Sequence, residues 1–372
     1  MIEQAYRNIW SKPPTVSNGP FDNALIGRRD RNFEIAYAGN SVTAQRQGYQ
    51  AHLHDHLKQK WSCQTAPIRV ALGAVGSIGL ASYWCALIRD RRPEVVFLEC
   101  STADIGGATP VPDIRVALGH LVHAFQKLGS RICFLYLPRT DRLASRRSEI
   151  LRVYEHVAED LGVPSIDLEF RDDLENPELY LYDGVHTTPL GAALIANAIV
   201  EALQNQERNR SIVSYRKKEL VHAESNLIVH SWQRMSYESV PRVSNFRLGI
   251  PFAEINCDSS ATWASPDSSL IGLQILLGSH SGVIELRSDN KSRMIQTWDE
   301  TCERNPRLSY LPIPIDFRTS NTITFTALRS VSGQRDLYGA RSHTLHSGTM
   351  MRVIGCTEEF EARHDTITLE PE

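Results

Sequence analysis

In "YAGNSVTAQRQGY" (37–49) an apolar run ends at a glycine, and the chain then presents Asn40, Ser41, Val42 and Thr43. Residues of these types at a strand end either cap the helix that follows or offer a nucleophile. A serine hydroxyl is a poor nucleophile unless a base takes its proton and a third group orients that base. The second use therefore needs a histidine with a carboxylate beside it at another strand end. "YLYDGVHTTPLGAALIANAI" (180–199) holds Asp183 and His186 in a loop that closes where Thr188 caps the next helix and Pro189 opens it. A three-residue spacing lets the carboxylate fix the imidazole tautomer through one ring nitrogen and leaves the other for Ser41. An Asp and a His side by side in a surface loop are also common without any such role.

Two more stretches fall at strand ends. In "LGAVGSIG" (72–79), Gly73 and Gly76 allow close backbone approach, and the Gly76 N–H could point into a site. The spacing is GxxGxxG, so the dinucleotide fingerprint fails and no cofactor is implied. "FLECSTADIGG" (97–107) places Ser101, Thr102, Ala103 and Asp104 after another strand.

Taken together and in this order, the four stretches resemble the SGNH (GDSL-type) hydrolase family. "AGNSVT" is similar to its G-D-S-x-T block, with Asn40 for the usual Asp. "GAVG" is similar to the second block, "LECSTAD" to the G-x-N-D block, and "DGVH" to D-x-x-H. The resemblance covers roughly residues 33–203. It implies Ser41 as nucleophile, His186 as general base and then acid, and Asp183 as its orienting carboxylate. The N–H groups of Ser41 and Gly76 would then form the oxyanion hole. The family's third donor is an Asn side chain, and this sequence has Ala103 there. Loss of one such donor typically lowers turnover by about 10²–10³. Three outcomes follow from that alanine: a substitute donor, with Ser101, Thr102 or Ser77 nearest in sequence; a slow enzyme; or a degenerate relative that only binds.

These residues need a scaffold that brings distant strand ends together. From residue 33 to about 206, apolar runs without polar alternation (33–39, 68–76, 94–100, 131–138, 164–168) alternate with helical patterns (49–61, 79–90, 113–129, 145–162, 189–206). That order predicts an α/β fold, a three-layer parallel sheet flanked by helices, with ligands at the carboxyl ends of the strands. Beyond the charged stretch 204–219 the runs become short, β-branched and broken by Ser, Asn, Asp and Gly, which predicts an all-β sandwich of jelly-roll type. The expected domains are an N-terminal extension (1–32), an SGNH-like α/β domain (33–210) and a β-sandwich domain (211–372).

The bulk composition sets further bounds. A net charge of −3 over 372 residues gives no basic field for nucleic acid. No apolar run is long enough to insert into a bilayer. Without an apolar leader, the seven cysteines read as reduced thiols, and the expected address is cytoplasmic. "HLHDH" sets His52 and His56 four apart on a helix, but without the Glu of a metalloprotease motif it reads as a solvated face, so no metal is expected. Arg139 or Arg142 could meet an anionic group, although surface arginines explain them as well. Trp232, Trp263 and Trp298 could stack on a sugar, although aromatic residues there are more often core.

Three functions fit. The first is a serine esterase acting on a small-molecule or glycan ester, by fold analogy an O-acyl or O-acetyl carbohydrate. The second is an O-acyltransferase in surface polysaccharide biosynthesis, using the same three residues. The third is a catalytically degenerate glycan-binding protein, which Ala103 supports.

Overall fold

The structure is a computed structural model that describes residues 9–10, 14–18, 34–61, 66–107, 109–171, 173–209, 227–239, 241–246, 250–256, 258–278, 281–297, 306–328 and 350–360. The chain divides into two units, Met1–Ser225 and Asn226–Glu372. The expected domain boundary at residues 210 and 211 lies outside the described residues, as does most of the expected N-terminal extension.

The first unit contains β1 (Val16–Ser17), β2 (Ile35–Gly39), β3 (Ile68–Ala71), β4 (Val95–Glu99), β5 (Arg131–Tyr136) and β6 (Ser165–Asp167). Its helices are α1 (Ser41–Ala44), α2 (Tyr49–Trp61), α3 (Gly76–Ile88), α4 (Ser101–Gly106), α5 (Val111–Lys127), α6 (Arg147–Leu161) and α7 (Pro189–Asn209). The strands form one sheet in the order β1-β6-β5-β4-β2-β3, parallel except for β1, which runs antiparallel to β6. Every residue of β2 and β4 is buried, as a sheet covered on both faces requires. On one face, Tyr37, Phe97, Cys133, Leu135 and Ile166 join Tyr49, Leu53 and Leu57 of α2 and Leu194, Ile195, Ala198 and Ile199 of α7 in one cluster. On the other, Phe134 and Tyr136 meet the Tyr154 ring of α6 edge-on, with α3 and α5 packed alongside. Each fully buried large apolar side chain contributes about 1.5–3 kcal/mol. Ile9 and Trp10 also belong to the first cluster, and the Trp10 indole N–H donates to the Leu168 carbonyl.

One element departs from expectation. The apolar run 68–76 is strand only to Ala71, and α3 starts at Gly76, three residues before the expected helix. Ala74 and Gly76 have φ of +58° and +44°. These two left-handed residues reverse the chain in a turn too tight for the strand to continue through it.

In the second unit all strand pairs are antiparallel. The strands are β7 (Leu227–Ser231), β8 (Ser236–Tyr237), β9 (Arg242–Phe246), β10 (Ile250–Asn256), β11 (Ser260–Ala264), β12 (Ser268–Leu277), β13 (Val283–Ser288), β14 (Lys291–Gln296), β15 (Arg307–Pro312), β16 (Thr322–Leu328) and β17 (Met350–Phe360). One sheet runs β15-β12-β17-β10-β9 with β7 also on β17, and the other runs β14-β13-β16-β11-β8. Leu273, Ile275 and Val353 of the first sheet share a core with Trp263, Leu286 and Phe325 of the second, so the unit is a β-sandwich. Trp263 is fully buried and its indole N–H donates to Glu358, so it is core and presents no platform to a sugar. Trp232 packs partly buried against the same core, and Trp298 lies outside the described residues.

Candidate active site

Parallel pairing aligns the strand ends that carry the motifs. Gly39 is the register partner of Ala71 on one side and of Glu99 on the other. The connections leaving β2 and β4 run to opposite sides of the sheet, to β3 and β5. The crevice between the two strand ends is therefore the topological switch point of the fold, where open α/β sheets hold ligands.

Three helices begin at this edge, and Ser41, Gly76 and Ser101 are their first residues. The N–H of a first helical residue has no partner inside its helix. Ser41 thus combines a hydroxyl with a backbone amide left over at the start of α1. Gly73 adjoins it, since a Cβ at that glycine would stand 3.9 Å from Ser41 Cβ.

The Ser41 hydroxyl lies 2.9 Å from His186 Nε2. His186 Nδ1 lies 2.6 Å from Asp183 Oδ2, while Asp183 Oδ1 accepts the amides of His186 (2.7 Å) and Val185 (3.0 Å). With the carboxylate on Nδ1, that nitrogen carries the proton and Nε2 is the lone-pair acceptor for the serine. Burial alone would raise the Asp183 pKa. The amide and ring of His186 and the amide of Val185 outweigh it and hold the carboxyl below its ordinary value. The loop is anchored where it enters α7. Thr188 Oγ1 accepts the Gly191 amide at the start of α7 (3.1 Å), the cap that the sequence suggested. Gln45, just past α1, receives the Thr187 amide and hydroxyl (both 3.1 Å) and donates to the Thr187 carbonyl (3.2 Å). Ser41 and His186 are thereby braced to each other by Gln45, a residue without a signal in the motifs.

Beneath Ser41 lies a second group of residues, centred on Glu99, whose joint arrangement motif reading did not give. Asn40 caps α1, its Oδ1 accepting the Val42 amide (3.1 Å), while its Nδ2 donates to Thr102 Oγ1 (2.8 Å) and Glu99 Oε1 (3.3 Å). Thr43 donates to Glu99 Oε2 (3.1 Å) and Tyr49 OH lies 3.0 Å from Thr43 Oγ1. The Thr102 hydroxyl (2.7 Å) and amide (3.3 Å) both donate to Glu99 Oε1. Burial raises the Glu99 pKa, and these donors from Thr102, Thr43 and Asn40 pull the other way. Asn40 suits this carboxylate, because the Asp usual in the resembled block would face it as a second negative charge. The one sequence signal for Glu99 was an acid at the end of "EVVFLE", an otherwise apolar central strand.

The expected substitute donors for Ala103, namely Ser101, Thr102 and Ser77, are all buried. Thr102 has its single hydroxyl hydrogen committed to Glu99 and its oxygen to Asn40. Ser101 is fully buried, and its hydroxyl has neither solvent access nor a hydrogen-bond partner among the described residues. The amides of Ser41 and Gly76 are the donors left among those named from the sequence. The turn before α3 is pinned by Asp104, which accepts the Ser77 amide (2.9 Å) and the Tyr154 hydroxyl (2.6 Å). A Cβ at Gly76 would stand 2.2 Å from Asp104 Oδ1, so only glycine fits. Burial pushes the Asp104 pKa up to about 6, against the donors Tyr154 and Ser77. Arg139 is partly buried and pairs bidentately with Asp141 (both 2.7 Å) while donating to the Thr102 carbonyl, so it braces the site and is not held ready for a substrate anion. The Arg142 side chain lies outside the described residues. Among the described residues no group of three or more His, Cys, Asp or Glu is arranged to hold a metal.

Residues 37–194 match the model of the GDSL-like lipase/acylhydrolase family. Comparison with curated proteins gives no match. Among solved structures, a two-domain esterase (CEX) active on acetylated mannans is similar over 96% of this chain and 99% of its own, with a TM-score of 0.67 and 13% identity. Its structure co-crystallised with mannopentaose gives the same values. At this identity the likeness concerns the fold, which it extends over both units.

Proposed function

We propose that the GDSL-like domain is a serine esterase that hydrolyses an O-acyl carbohydrate through an acyl-enzyme on Ser41. The observation that carries this reading is the run of contacts from Ser41 Oγ to His186 Nε2 and from His186 Nδ1 to Asp183, at 2.9 and 2.6 Å. Ser41 Oγ attacks the ester carbonyl as its proton passes to His186 Nε2. The tetrahedral oxyanion is met by the amides of Ser41 and Gly76. The C–O bond breaks, and the alcohol leaves with the proton from His186. Water then attacks the acyl-enzyme, giving its proton to His186, and the carboxylic acid departs as Ser41 recovers its hydrogen. Asp183 stays ionised throughout and stabilises the imidazolium. A carbohydrate alcohol is supported by the fold shared with an esterase active on acetylated mannans. A cytoplasmic address goes with Cys85, Cys100, Cys133 and Cys356, which are free thiols among the described residues.

Ala103 favours a second reading, a protein that binds glycan esters without turning them over. Fluorophosphonate labelling separates the two. On the esterase reading one adduct forms, maps to Ser41, and is absent from Ser41→Ala and His186→Ala. A folded protein that takes no label refutes that reading in favour of binding.

A further inference from the structure

We infer that Tyr182 forms the wall of the subsite that receives the alcohol half of the ester, and that this alcohol is a pyranose ring. The inference rests on the esterase reading above. In that mechanism His186 Nε2 delivers its proton to the departing oxygen, so the alcohol lies on the His186 side of Ser41. Tyr182 borders His186 on the protein surface. Its ring runs nearly parallel to the imidazole, at 17° with centroids 5.7 Å apart, an offset stack.

Tyr182 is 61% exposed, which is unusual for a large aromatic side chain held in a fixed loop. Its backbone is not free to swing away. The Tyr182 amide donates to the His186 carbonyl (3.0 Å), and the flanking Leu181 and Thr187 form an antiparallel bridge over buried positions. The phenol hydroxyl has no hydrogen-bond partner among the described residues. An open aromatic face with a free hydroxyl at its edge suits the C–H face and one hydroxyl of a sugar ring, whereas a simple alkyl alcohol would use neither.

Two measurements test this. In the first, methyl mannopyranoside is added to the Ser41→Ala protein and saturation transfer to the sugar C–H protons is followed by NMR. The transfer is expected there and should vanish in Ser41→Ala/Tyr182→Ala. In the second, kcat/KM is compared between a mono-O-acetylated methyl mannopyranoside and ethyl acetate, which share an acyl group. Tyr182→Ala should lower the ratio of sugar ester to ethyl acetate about tenfold, the scale of one aromatic contact, through KM, and Tyr182→Phe should keep most of it. Equal losses on both esters would overturn the subsite and leave Tyr182 as a support for His186. Saturation transfer that survives removal of Tyr182 would overturn it as well. If the wild-type protein hydrolyses neither ester, the esterase reading fails, and the NMR comparison alone decides the sugar subsite.

Discussion

Asp183 and Asp104 are both acids at the same edge of the sheet, and their surroundings move them in opposite directions. Asp183 is drawn below its ordinary pKa by His186 and Val185. Its contribution to stability is present above the unfolded-state pKa and is lost as pH falls through the folded value, below about pH 4. Replacing it by Asn should leave the wrong imidazole tautomer facing Ser41 and lower kcat by about 10⁴, seen in burst and steady-state kinetics. Asp104 is raised to about 6 by burial. Its folded form binds more protons than the unfolded chain between about pH 4 and 6, so its contribution is complete below that window and lost as pH rises through it. Urea midpoints of wild type and Asp104→Asn at pH 4 and 6.5 should therefore shift relative to each other, with the wild type losing ground at the higher pH by up to about 1.4 kcal/mol per unit. A constant gap would mean that Asp104 ionises normally. At Asn40 the same reasoning gives a substitution test. Asn40→Asp places two carboxyls at hydrogen-bond distance in a buried site, so one must hold a proton, and the variant should be least stable at high pH.

At the scale of elements, the site is a set of strand ends held in register by short braces. The Gln45–Thr187 bonds join the end of α1 to the loop before α7 across 142 residues of sequence. Gln45→Ala removes three hydrogen bonds, each worth about 0.5–1.5 kcal/mol, and should lower kcat more than it raises KM, because Ser41 and His186 lose their fixed separation. An unchanged kcat would mean that the loop is held without Gln45, by the Thr188 cap and by the Thr140 amide on the Gly184 carbonyl. Gly76→Ala tests the turn before α3. The methyl group would collide with Asp104 Oδ1 at a left-handed φ, so stability and fluorophosphonate labelling should fall together. The apolar run reads as strand through residue 76, and only Gly73 and Gly76 within it hint at the turn that stops the strand at Ala71.

For the whole molecule, each unit has its own buried cluster, and every residue assigned to the triad and its braces lies before Ser225. A chain ending at Ser225 should fold and label on Ser41 with fluorophosphonate. Its activity on ethyl acetate, compared with that of the full chain, then measures what the β-sandwich adds. The buried Glu358 of β17 should be structural to the second unit alone. It accepts the Trp263 indole (2.8 Å), pairs with Arg234 (2.8 Å) and bonds to Ser268 (2.5 Å), so its loss should leave labelling of Ser41 intact.

The linear sequence determined the order of strands and helices, because fully buried strands and amphipathic helices write their periods into neighbouring residues. It also determined which residue types stand at the strand ends, and so pointed to Ser41, Asp183 and His186. Asp183 and His186 are only three residues apart, and their mutual contact was legible for that reason. The contact between Ser41 and His186 spans 145 positions, and that between Asn40 and Glu99 spans 59. Those separations are bridged by the parallel register of β2 with β4 and by the packing of α2 on α7, which no local period encodes. Tertiary structure alone therefore decided that the Thr102 hydroxyl is committed to Glu99, that Ser101 is buried, that Glu99 lies beneath Ser41, and that Tyr182 stands open beside His186. A side chain's direction depends on what packs against it, and that is set by residues far away in the chain.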